Sequence, residues 1–272
     1  MAPIFHIREV EITMKKIVPL LLACSIALLS ACSSNELHDS YAKYQNQTAA
    51  DLYNSSKKDL LADHPNRATK KLEALNALYP FGAYAEDGLI NLVYAYYEND
   101  NADAALAAAD RYLRLYPRGN YSDYAYYMKG VIAFKQGFSW IQRRAGVNPA
   151  PRDLTNLKSA YLSFNQLVTD FPTSHYVPDA IARMRYIRNL FAEKEMGIAT
   201  FYFNKKAYVA AANRASDVVV HYNGSPWVIP ALTIMVKSYR KLGMTEMADN
   251  TLKIFQASYP NSKNLKRLMR SQ

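Results

Sequence analysis

Cysteine, glycine and long apolar runs are all scarce in this chain. Two Cys among 272 residues leave no disulfide scaffold. Nine Gly exclude a collagen-like repeat and leave little for a phosphate cradle. Neither G-x-x-x-x-G-K-S/T nor G-x-G-x-x-G occurs, and the nucleophile motif G-x-S-x-G is also missing. No apolar run reaches the roughly 20 residues that span a bilayer. Five His are present and none has an H-E-x-x-H or Cys/His metal spacing, so metal binding is unsupported. What remains is a chain that is 50% apolar and 21% charged, with a net charge of +10 and 22 Tyr. Such a chain packs one or two domains and favours an anionic partner or surface.

The amino terminus reads as a secretion signal. Met14-Lys15-Lys16 forms a basic region, Ile17 to Leu29 an apolar core and Leu29-Ser30-Ala31-Cys32 a small-residue processing site. Met1 to Thr13 contains two acids and suits no such leader, so translation is expected to start at Met14. The last four residues resemble the bacterial lipobox, which implies that Cys32 carries N-acyl and S-diacylglycerol chains and becomes the new terminus. Several chains anchor firmly where one anchors marginally. Ser33 after the cysteine implies, by the same resemblance, sorting to the outer membrane. Removing Met1 to Ala31 takes away three basic and two acidic residues, so the charge excess belongs to the mature chain. Residues 32–48 are expected to form a lipidated tether.

A repeat fills the rest. Tyr79-Pro80, Tyr116-Pro117, Phe171-Pro172 and Tyr259-Pro260 share one pattern, with Tyr222-Asn223 as a fifth member. Twelve residues before each second member stands alanine, at Ala68, Ala105, Ala160, Ala211 and Ala248. Positions four and seven beyond each alanine are Leu72 and Leu75, Ala109 and Tyr112, Phe164 and Leu167, Ala215 and Val218, and Leu252 and Phe255. A small residue permits close helix approach, positions +4 and +7 share its face, and proline stops the helix. The spacing resembles the tetratricopeptide repeat. Leu89, Leu92 and Tyr96, and likewise Leu232, Met235 and Tyr239, supply the first helix of two units. Gly243 followed by Thr245 predicts a left-handed stop and a new N-cap.

The predicted fold is therefore all-α, an α-solenoid of about five helix-turn-helix pairs in two groups joined by a long helix. Residues 49–176 hold repeats one to three, 177–260 hold repeats four and five, and 261–272 form a basic tail. Between Phe138 and Asp153, Gly146, Pro149 and Pro151 predict a long loop, whereas Asp179 to Phe203 predicts one helix of about 25 residues. The carboxylate pairs Glu86-Asp87 and Glu193/Glu195 read as solvated helix faces, and no catalytic constellation is visible. Nucleic acid is not an expected partner of an exported lipoprotein.

The motifs Leu72-Glu73-Ala74-Leu75, Tyr79-Pro80-Phe81-Gly82, Tyr94-Ala95-Tyr96-Tyr97, Asp110-Arg111-Tyr112-Leu113, Tyr127-Met128-Lys129-Gly130 and Asn213-Arg214 resemble, in order and spacing, those of the BamD family, also called ComL or YfiO. The resemblance implies an outer-membrane lipoprotein on the periplasmic side and a non-enzymatic scaffold and receptor in the machinery that inserts β-barrel proteins. It implies partners in the POTRA domain of BamA, in BamC- or BamE-like accessory lipoproteins, and in the targeting signal of unfolded barrels. Arg214 is implied at the BamA interface. No cofactor is implied beyond the lipid on Cys32. A groove around Tyr79, Phe81, Tyr94, Tyr96, Tyr97 and Arg111 is the candidate peptide site, because aromatics with a flanking Arg suit an extended peptide. Asn223 departs from the family's proline. The alternative is a repeat lipoprotein that pilots a secretin or coordinates the cell wall.

Overall fold

The computed structural model describes residues 41–138 and 153–270. The signal segment, Cys32 and nearly all of the predicted loop at 138–151 lie outside them. Among the described residues there are eleven α-helices and no strand: α1 Ala49–Leu61, α2 Pro65–Leu78, α3 Ala85–Glu98, α4 Ala102–Leu115, α5 Ser122–Gln136, α6 Thr155–Asp170, α7 Val177–Asn204, α8 Tyr208–His221, α9 Val228–Lys241, α10 Thr245–Ser258 and α11 Lys263–Arg270. Every substantial contact joins helices that are adjacent or next but one in the chain. That is the topology of a solenoid, whose core is a series of neighbour interfaces.

The repeat positions build those interfaces. All fifteen residues at the alanine, +4 and +7 positions are buried, none more than 8% exposed. The alanines bring the second helix of each pair onto its neighbours, and the large partners Tyr112, Phe164 and Phe255 fill the space between pairs. Each such side chain contributes about 1.5–3 kcal/mol by leaving water. Gly130 on α5 leaves no room for a side chain, since a Cβ there would run into the Phe164 ring of α6.

Helix ends follow the sequence just as regularly. Tyr79, Tyr116, Phe171 and Tyr259 each close a second helix with φ between −140° and −130° and ψ between 58° and 65°, outside the helical well. The ring of a following proline disfavours the helical conformation at this position. Tyr222, which precedes Asn223, closes its helix at ψ 36°. Within pairs, Asp63, Asp100, Lys206 and Gly243 all have positive φ, between 56° and 72°. In each turn the next N–H bonds the carbonyl five residues back, as in His64 to Asp59 and Met244 to Tyr239. These are four Schellman turns, and only one of them uses the glycine that favours the conformation.

The long helix α7 runs 28 residues, about 42 Å. Its first half places Ala180, Ile187 and Leu190 in a cluster with α5 and α6, and its second half places Ala192, Met196 and Ala199 against α8 and α9. Three local expectations change. Thr245 lies inside α10, whose N-cap is Met244 with no side-chain cap. The tether is partly docked: Tyr44 is buried, and Thr48 and Asp51 form a reciprocal capping box on α1. The stretch read as a basic tail is helix α11, which inserts Leu265 and Leu268 among Val228, Leu232 and Phe255. The apolar spacing of those two leucines was the signal for it.

Candidate functional site

The first helices of successive repeats lie side by side, and their shared face holds a groove of about 430 Å³. Tyr53 and Lys57 from α1, Asp87 and Tyr94 from α3, and Tyr121 and Tyr124 at the start of α5 line it. Tyr176, just before α7, closes one end and lies 4.6 Å from Tyr127, the rings nearly parallel at 18°. Tyr127 in turn donates to Asp179 Oδ2 at 2.9 Å, and Ser174 Oγ donates to Asp123 Oδ2 at 2.7 Å, so the wall is fixed to the long helix.

The groove's phenols are held protonated. Burial pushes Tyr53 upward, reinforced by Asp87, and burial raises Tyr94, reinforced by Glu98. For Tyr121 the hydrogen bond to Asp87 is the leading cause and burial the next. Tyr124 is pushed up mainly by burial. Neutral phenols over apolar floors offer hydrogen bonds together with ring surface, which suits an extended segment carrying an aromatic side chain.

Of the six residues expected to form the groove, Tyr94 alone lines it, 37% exposed. Helical rotation turns Tyr96 to the side of α3 opposite Tyr94, whereas Tyr97, three residues on and adjacent on the helix surface, packs toward α5 under Lys135 instead. Tyr96 faces α2 and donates to Glu73 Oε1 at 2.7 Å. Tyr97 lies beneath Lys135 Nζ, 4.7 Å from its ring, beside Asp100 and Ile132. Tyr79 closes α2 and donates to the Gln47 carbonyl at 2.8 Å, pinning the entering chain. Phe81 stands 87% exposed in the following turn, and Arg111 is exposed on α4, which contributes nothing to the groove. Tyr53, Tyr121 and Tyr124 line the groove instead; each opens or lies on the first helix of a repeat, as Tyr94 does, but at a different register, so no repeat spacing marks them.

Arg214 lies on α8 and pairs with Glu195 Oε2 of α7 at 3.1 Å, its side chain 45% exposed. Glu195 is therefore a partner, not a solvated carboxylate. Glu86 likewise accepts from the buried Tyr112 hydroxyl and from Asn120 N–H. Close by, Arg188 donates to the carbonyls of His221 and Asn223. Among the described residues no group of His, Cys, Asp and Glu is placed to hold a metal, and no helix is long and apolar enough to cross a membrane.

Residues 45–265 match the family described as YfiO, outer membrane lipoprotein. The chain is 35% identical over 260 residues to the outer membrane protein assembly factor BamD of Neisseria meningitidis serogroup B, covering 95% of this chain and 96% of that one. It is 31% identical to the protein of the same name from Pasteurella multocida, over 87% of this chain and 89% of that one. The chain belongs to the YfiO, or BamD, family. Family membership makes it an outer membrane protein assembly factor built as a repeat lipoprotein. Among solved structures, the type IV pilus biogenesis factor PilW aligns over 82% of this chain and 99% of its own, with a TM-score of 0.34 and 14% identity.

Proposed function

We propose that this chain is a non-enzymatic scaffold and receptor of the outer-membrane β-barrel assembly machinery, held by lipid on Cys32 to the periplasmic leaflet. The tyrosine groove of the amino-terminal repeats receives the targeting segment of unfolded barrel proteins. The Arg214 face docks a POTRA domain of BamA, and the remaining surface holds BamC- or BamE-like accessory lipoproteins. The single observation that carries this reading is the convergence of tyrosines from three successive first helices on one groove. It supports peptide capture because stacked, hydroxyl-bearing walls fit an aromatic side chain and its backbone together. Arg214 supports docking because Glu195 fixes a half-exposed guanidinium for a carboxylate across an interface.

The test is affinity purification from detergent-solubilised envelope, with recovery of BamA and unfolded barrels expected. Recovery of a secretin or wall fragments without BamA would overturn the reading. For the groove, Tyr94→Ala is expected to weaken a peptide ending in the barrel signal about tenfold, as a well-packed aromatic contact does. Tyr96→Ala serves as the comparison outside the groove, and equal loss in both removes the groove from the reading.

A further inference from the structure

A second and larger trough, of about 770 Å³, lies two repeats further along, where α7 and α11 flank α9. Its floor is one stripe of α9, with Trp227, Pro230, Ile234 and Lys237 at helical spacing. From the first to the last of these the trough runs about 15 Å, close to three helical turns. Phe201 of α7 stands 57% exposed along one side, a large apolar surface that solvent does not favour. Thr200, Thr233 and Asn264 interleave polar groups among the apolar ones.

Charge at this trough is one-sided. Lys194, Lys237 and Arg267 come from three different helices, against the one carboxylate of Glu193. The trough is also fixed in shape. Leu265 and Leu268 bury one face of α11 in the core, and Arg240 Nη1 donates to the Leu268 carbonyl at 3.0 Å, locking α11 to α9.

We propose that this trough is a docking site for an acidic amphipathic helix of a partner protein, of about three turns, with its apolar stripe on Trp227, Ile234 and Phe201 and its carboxylates facing Lys237 and Arg267. The three-turn length favours a helix over an extended strand, which would cover the same stripe with few residues. The interleaved threonines and asparagine favour a peptide over an acyl chain, which offers nothing to hydrogen-bond. The site shares no residue with the tyrosine groove or the Arg214 pair, so it stands whether or not the receptor reading holds.

Trp227 reports on its own site, because Trp140→Phe in the full chain leaves it the only tryptophan. Two helical peptides are titrated that share a leucine and phenylalanine stripe and carry Glu or Lys elsewhere. The Glu peptide is expected to shift Trp227 emission saturably to the blue, and the Lys peptide to leave it unchanged. Lys237→Gln with Arg267→Gln is expected to weaken the Glu peptide about tenfold, as is salt that shortens screening to about 3 Å. Both side chains are exposed, so the fold is retained, which a melting curve checks. Equal response to the two peptides, or unchanged affinity in the double variant, overturns the proposal. So does a shift produced by phosphatidylglycerol vesicles and not by the Glu peptide, which assigns the trough to lipid.

Discussion

The fully buried hydroxyl of Tyr112 donates to Glu86 Oε1 at 2.6 Å and accepts from the Tyr121 N–H at 3.0 Å. Glu86 also takes the Asn120 N–H at 2.8 Å, so one phenol and one carboxylate hold the second repeat to the turn that starts the third. Gly119 completes the arrangement, since a Cβ there would meet Glu86, Tyr112 and Tyr116 within 3 Å. Tyr112→Phe keeps the ring and removes the bridge. A loss of about 1–3 kcal/mol follows from leaving buried donors and acceptors unmatched. Urea denaturation measures it, and a variant as stable as the parent would refute the bridging role.

Gly130 and Phe164 set the spacing of α5 and α6. Adding a side chain forces the ring aside, at a cost of about 1–3 kcal/mol for overpacking. Gly130→Val should therefore lower the melting temperature, and Phe164→Leu in the same chain should restore part of the loss by clearing room. If the double variant is simply the sum of two losses, the contact is not what limits the spacing.

If Arg214 docks BamA as proposed, the Arg214–Glu195 pair separates function from stability. Being partly exposed, it contributes no more than about 1 kcal/mol, so Arg214→Glu and Glu195→Gln should melt near the parent temperature. Recovery of BamA should fall strongly with Arg214→Glu and partially with Glu195→Gln, which frees the guanidinium to wander. Full recovery with Arg214→Glu would remove this residue from the interface.

Alkaline pH should destabilise the protein through its tyrosines. Burial, joined by neighbouring carboxylates at Glu73 and Glu86, raises Tyr96 and Tyr112, and burial raises Tyr124. In the unfolded chain these phenols ionise near pH 10, while the folded state keeps them neutral. Below that pH both states hold the proton and stability is constant. Above it the unfolded state loses protons first, so stability falls as pH rises. Parallel urea titrations from neutral to strongly alkaline pH, with tyrosinate absorbance followed alongside, check the onset, and a flat profile beyond pH 10 contradicts it.

The repeats were legible because their signals are local. An alanine with large residues four and seven positions on, and an aromatic before proline, each act within one helix and its end. Glu86 was not legible as a structural residue, because its donors are 26 and 34 positions away in sequence. Asp63, Asp100 and Lys206 were passed over as turn residues for a different reason. No glycine marks these turns, although all three residues hold a left-handed backbone. Tyr96 and Tyr97 are close to Tyr94 in sequence, yet helical rotation turns Tyr96 to α2 and packing beneath Lys135 of α5 draws Tyr97 out of the groove.

The sequence by itself determined the helix pairs, their order and the long joining helix, since periodicity and helix punctuation depend on residues a few positions apart. Tertiary structure alone decided which tyrosines meet in one groove, that Arg214 is held by Glu195, and that residues 263–270 cap the solenoid and wall a second trough. Those outcomes depend on how much each helix rotates against its neighbour, which is fixed by the packing of Ala160, Gly130, Phe164 and their equivalents across repeats. A solenoid makes such contacts only between nearby units, yet its faces gather side chains from several units at once, and no local pattern contains that arrangement.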